Sequence, residues 1–100
     1  MESQERAELI RLVREALART YRMRTPDGEL GGVLPLIETQ LAWCLQQLRM
    51  AEEPALPEGK TMNMGLAALR EYDSSFGGPD DDYAALIGEI ERRFTRAVDG

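Results

Sequence analysis

Leu34-Pro35-Leu36-Ile37-Glu38-Thr39-Gln40-Leu41-Ala42-Trp43-Cys44-Leu45-Gln46-Gln47-Leu48 is the stretch on which the architecture turns. Leu34, Ile37, Leu41, Cys44, Leu45 and Leu48 fall on one stripe at α-helical spacing. Pro35 suits the first turn of such a helix, where its missing N–H leaves no bond unmade. Leu36, Trp43 and Met50 sit beside the stripe. A helix over 33–51 therefore reads as covered on two sides and as the most buried element.

Working outward, the N-terminal side holds a second helical pattern over 3–23. Leu9, Val13, Ala16, Leu17 and Tyr21 share its face, and Ser3 is placed to cap it. Opposite charges four residues apart (Glu2/Arg6, Arg11/Glu15, Glu15/Arg19) line the wet side. Thr25-Pro26-Asp27-Gly28 ends the pattern as a turn, and Gly31-Gly32 closes the loop. On the C-terminal side, Glu52 to Gly59 reads as a loop stiffened by Pro54 and Pro57. A short helix over 61–73 follows, with Thr61 as its cap and Met62, Gly65, Leu66, Leu69 and Tyr72 or Asp73 sharing its inner face. Gly65 costs about 1 kcal/mol against alanine in a helix, a cost that close approach to a neighbour would explain. Ser74-Ser75-Phe76-Gly77-Gly78-Pro79 breaks the chain. The last helix, over 80–98, opens on Asp80-Asp81-Asp82, with Asp80 as cap and acidic groups complementing the helix dipole. Tyr83, Leu86, Ile87, Ile90, Phe94 and Val98 form its stripe. The expectation is an all-α, compact four-helix, bundle-like single domain over 1–100.

Composition narrows the function. Of 100 residues, 43% are apolar and 30% charged, the balance of a globular chain. The net charge of −6 disfavours binding to nucleic-acid phosphates. Histidine is absent and cysteine occurs once, so a His/Cys metal site, a His-dependent triad and an intramolecular disulfide are excluded. No stretch is long and apolar enough to span a membrane. The opening Met1-Glu2-Ser3-Gln4-Glu5-Arg6 lacks the pattern of a secretory signal. With a lone Cys44, expected to be buried and inert, the reading is cytoplasmic. No cofactor, metal, nucleic-acid or membrane partner is expected, and no catalytic residue stands out.

Charge is uneven along the chain. Residues 1–26 carry six basic and four acidic groups, whereas 27–83 carry three basic and eleven acidic. That negative field reads either as a solvated face or as steering toward a basic partner. Arg70-Glu71-Tyr72-Asp73 beside a glycine-rich break reads either as a helix end or as an interface anchor with a polar rim. Consecutive carboxylates at 80–82 lack the alternation of a calcium loop. They serve as cap and dipole partner, and as an exposed negative edge.

Gln40-Leu41-Ala42-Trp43-Cys44-Leu45 and Met64-Gly65-Leu66-Ala67-Ala68-Leu69-Arg70-Glu71-Tyr72, with Asp82-Tyr83-Ala84-Ala85-Leu86, resemble motifs of small immunity proteins of type VI secretion effectors. The effectors concerned hydrolyse NAD(P), and the resemblance spans about 33–95. It implies an all-helical cytoplasmic protein, not an enzyme, that binds a cognate toxin effector domain and occludes its active site. The second loop and Gly77-Gly78 depart from the family pattern. The toxin-binding residues expected on this reading are Glu71, Tyr72, Asp73, Asp80, Asp81 and Asp82, then Glu52, Glu53 and Arg70. A non-catalytic helical adaptor or oligomerisation module is the alternative, and a nucleic-acid mimic fits the charge equally well.

Overall fold

The computed structural model describes residues 1–56 and 59–99, so Pro57 and Glu58 of the expected second loop, and Gly100, lie outside the described residues. Four α-helices follow in order: α1 (Ser3–Arg22), α2 (Leu34–Met50), α3 (Met64–Tyr72) and α4 (Asp81–Asp99). One turn of 3-10 helix, Ser74–Phe76, links α3 to α4. No strand occurs among the described residues. The chain is thus an all-α four-helix domain. No helix among the described residues is long and apolar enough to cross a membrane.

α1 packs against both α2 and α4, and α3 lies along α4 with a narrower contact to α2. Polar contacts set the directions. Arg6, near the start of α1, donates to the carbonyls of Leu48, Ala51 and Glu52 at the end of α2. Thr20, near the end of α1, meets Tyr83, near the start of α4. Both neighbours therefore run antiparallel to α1. Since α3 has only nine residues, it covers part of the bundle's length. The segment before it supplies other cover, with Pro54 buried and Leu56 and Met62 packed on the core.

The core contains the expected stripe of α2, with Ile37, Leu41 and Cys44 at zero exposure, together with Leu9, Val13, Ile87, Ile90 and Phe94. Burying a side chain of this size stabilises by about 1.5–3 kcal/mol. Several helix ends differ from the sequence reading. Ser3 is the first residue of α1 and Glu2 holds the cap position without a side-chain bond. Arg6 caps the α2 carbonyls instead of pairing with Glu2, because a helix C-terminus leaves carbonyls without partners. Thr20, rather than Tyr21, ends the buried face of α1. The pairs Arg11–Glu15 and Arg19–Glu15 form as spaced, and Arg93–Glu89, also four residues apart, forms in α4.

α3 departs most. It begins at Met64, three residues after Thr61, and buries Met64, Gly65 and Ala68. Leu66 and Leu69, expected inside, point outward at 49% and 38% exposure. The cause lies in α2 and α4. The Gln40 side chain accepts from the backbone N–H of Asn63 (3.0 Å) and Met64 (2.9 Å) and donates to Asn63 Oδ1. Glu91 accepts from the N–H of Gly65 at 3.3 Å. These two side chains take up the amides of Asn63, Met64 and Gly65 at the helix start and so fix both the start and the rotation of α3. Gly65 makes the close approach expected of it: a Cβ there would lie 2.5 Å from Glu91 Oε2 and 3.4 Å from the Cα of Gly88.

Candidate functional site

The end of α3, the 3-10 turn and the start of α4 form one edge, built by a tight reversal. Gly77 takes a left-handed conformation (φ 84°). Any Cβ on Gly78 would strike the backbone of Tyr72. The chain can thus double back until the N–H of Asp80 reaches the Tyr72 carbonyl at 2.8 Å. The Gly77-Gly78 pair is what permits this turn.

The acidic residues of the edge divide into two kinds. Asp73 caps the 3-10 turn, accepting from the Ser75 N–H at 2.8 Å. Asp80 caps α4, as its sequence position suggested, accepting from the Tyr83 N–H at 2.9 Å. Asp81 accepts from both the N–H and the hydroxyl of Ser74. These three carboxylates hold the reversal together. Glu71 and Asp82 are exposed and have no side-chain hydrogen bond among the described residues. Glu71 reaches over the loop before α2, where a Cβ on Gly32 would lie 2.7 Å from its Oε1. Arg70 is exposed beside it. The ion pairs among the described residues all lie within α1 or α4, between glutamates and arginines outside this edge.

Tyr72 anchors the edge to the core. Its ring stands edge-on to Tyr83, with centroids 5.1 Å apart at 85°. The Thr20 hydroxyl donates to the Ala16 carbonyl, so the Tyr83 hydroxyl, 2.7 Å away, donates to Thr20 Oγ. Burial, then the nearby Tyr83 and Glu71, pushes the Tyr72 hydroxyl up to about 12. Burial likewise raises Tyr83, against the lowering effect of the Thr20 bond. Cys44 is pushed up to about 12, chiefly by burial and then by the Glu91 charge. These groups keep their protons at neutral pH. Among the described residues no three carboxylates or thiols converge as metal ligands.

Glu52 and Glu53 lie elsewhere. Arg6 holds the Glu52 carbonyl, while the edge is tied to Thr20. Fourteen residues of α1 separate those anchor points, about 21 Å at 1.5 Å per residue. The sequence reading grouped them with Glu71–Asp73 and Asp80–Asp82, but the antiparallel run of α1 sends them to the far end of the bundle.

Three residues that the sequence reading left out of the site belong beside the edge. Leu66 and Leu69 are one turn apart on the outer side of α3, and Phe76, 60% exposed, stands on the 3-10 turn. Between α3 and α4 runs an open groove of about 460 Å³, lined by Leu66, Leu69, Asp73, Ala85, Gly88 and Arg92. A signal was present. Phe76 falls in a Ser/Gly break outside every helical stripe, and α3 has more apolar residues than one face of nine residues needs. The arrangement is a set of exposed apolar side chains flanked by carboxylates on a backbone fixed by caps. It offers shape, apolar area and negative charge to another surface.

No family model matches the chain, and no curated protein or solved structure matches it.

Proposed function

We propose that this chain is an immunity protein. In this reading it binds the toxin domain of a type VI secretion effector in the cytoplasm, one to one, and covers the toxin's active site. The observation that carries the reading is the outer side of α3 and the turn after it: Leu66 and Leu69 are exposed on the α4 flank and Phe76 on the turn, while Glu71 on the other flank of α3 and Asp82 at the start of α4 carry carboxylates that no cation of this chain neutralises within the described residues. Occlusion requires a desolvated apolar centre and a charged rim, and no chemistry by the inhibitor. The resemblance of 40–45 and 64–72 to the immunity family supports the immunity role more than any one toxin activity; an NAD(P)-hydrolysing or other nucleotide-acting domain is the toxin class it implies. Phosphate-bearing substrates call for a basic cleft, and an acidic edge complements one.

The test is to read the frame immediately upstream of this chain's own for a secreted protein with a toxin-like C-terminal domain, and to co-express that domain with this chain. The expected result is a 1:1 complex and loss of toxin activity, with an association rate that falls as salt rises. Glu71→Lys, Asp82→Lys and Leu69→Glu are expected to abolish protection while helicity is unchanged. Asp73, Asp80 and Asp81 are poor choices for reversal, since each holds backbone. Full protection by all three variants would refute the reading.

A further inference from the structure

The outer side of α2 was expected to be covered, and the structure leaves it open. Leu36 is 38% exposed, Met50 81%, and Trp43 between them is half-buried and absent from the packed core. These three recur every seven residues, the spacing of a helix–helix seam. Next to them, Thr39, Ala42 and Gln46 are exposed, small or uncharged. Two charged side chains border the face on its α1 side, Glu38 near one end and Arg49 near the other. Neither makes an ion pair among the described residues.

We propose that α2 is the seam of a homodimer, in which two copies pack these helices antiparallel about a two-fold axis beside Trp43. The register follows from the sequence positions. Leu36 and Met50 are equidistant from Trp43, so each Leu36 meets the Met50 of the second copy and the two Trp43 rings meet at the axis. Glu38 and Arg49 are centred within one residue of the same point, so the same operation places each glutamate opposite an arginine. A two-fold axis perpendicular to the helices also sets like flank on like flank, apolar row on apolar row and charged row on charged row. A parallel pair would set the apolar row against the charged one. A chain of net charge −6 opposes its own association. This face, with one charge of each sign, adds no like-charge contact to that repulsion. The partner it fits is therefore a second copy of this chain, and the surface is separate from Leu66, Leu69 and Phe76 on α3.

The test is sedimentation velocity over a concentration series of the full chain, with Trp43 emission recorded on the same samples. Trp43 is the single tryptophan, so its emission reports this seam alone. The expected result is a concentration-dependent dimer whose emission shifts to shorter wavelength as it forms. Glu38→Arg and Arg49→Glu, each with helicity confirmed by circular dichroism, are expected to weaken dimerisation by about tenfold or more through like-charge contact. The double variant Glu38→Arg/Arg49→Glu is expected to restore it. Ala42→Glu, which sets a charge in the middle of the seam, is expected to give monomer. A wild-type chain that stays monomeric throughout overturns the proposal. So does a dimer whose Trp43 emission is independent of concentration, or one indifferent to the single charge reversals.

Discussion

Replacing Gln40 by leucine separates a structural role from a packing role at the junction of α2 and α3. Gln40 is 4% exposed and makes hydrogen bonds of 2.5, 3.0 and 2.9 Å to Asn63 and Met64. Leucine has nearly the same volume, so the substitution leaves no large cavity. What it removes is the acceptor for two amides at the start of a nine-residue helix. The Met64 N–H is buried and loses its partner, at a cost of about 1–3 kcal/mol. The Asn63 groups are more exposed and recover water, which limits their loss to about 0.5–1 kcal/mol. The sum, about 1.5–4 kcal/mol, is a large fraction of the roughly 5–15 kcal/mol of a small domain. In a domain of this size it lowers Tm by about 6–32 °C. Urea unfolding followed by circular dichroism measures the stability. Amide hydrogen exchange locates the change, with Ala67 and Ala68 expected to lose protection before the core amides of α1. A loss below about 0.5 kcal/mol, or uniform exchange across all helices, would refute the capping argument.

Gly65→Ala gains about 1 kcal/mol of helix propensity and yet is expected to destabilise, because its Cβ meets Glu91 Oε2 at 2.5 Å and pushes away the carboxylate that caps α3; a net increase in Tm would contradict this. Burial holds the Glu91 carboxyl above its usual 4.5, against weaker lowering by the Gly65 and Met64 amides. The folded state therefore binds this proton more tightly than the unfolded state, and the group's contribution is full in acid and lost as pH rises through the raised value. Glu91→Gln is accordingly expected to be more stable than wild type at pH 7 and to lose that advantage near pH 4, as read from urea midpoints at the two pH values. Cys44, buried and with its thiol pushed up to about 12, is expected to resist a disulfide reagent at pH 8 and to react at the rate of global unfolding. Rapid labelling in native buffer would show that α2 opens locally.

Much of the fold was legible because helical periodicity is a local property. The stripes of α1, α2 and α4 lie in runs of 17 to 20 residues, long enough for a three-to-four spacing to be unambiguous. The short third helix was misread in rotation for the opposite reason. In nine residues two faces are nearly as apolar as each other, and the choice fell to Gln40 and Glu91, which are remote in sequence. Candidate site residues fared in the same way. Asp80 was recognisable as a cap, since a cap needs only its own helix. That Asp73 and Asp81 also hold backbone required the reversal at Gly77-Gly78. Glu52 and Glu53 looked equivalent to the other acids because charge along a chain carries no information about which end of a bundle it reaches.

Local spacing, turn chemistry and composition determined by themselves that this chain makes four helices, buries Cys44 and has neither histidine chemistry nor an intramolecular disulfide. Tertiary structure alone decided which side of α3 faces water, which carboxylates stay free of structural duty, and that the outer face of α2 lies open. The physical reason is that a helix's existence depends on neighbours within one turn. Its rotation and exposure depend on partners such as Gln40 and Glu91, brought to it from two other helices.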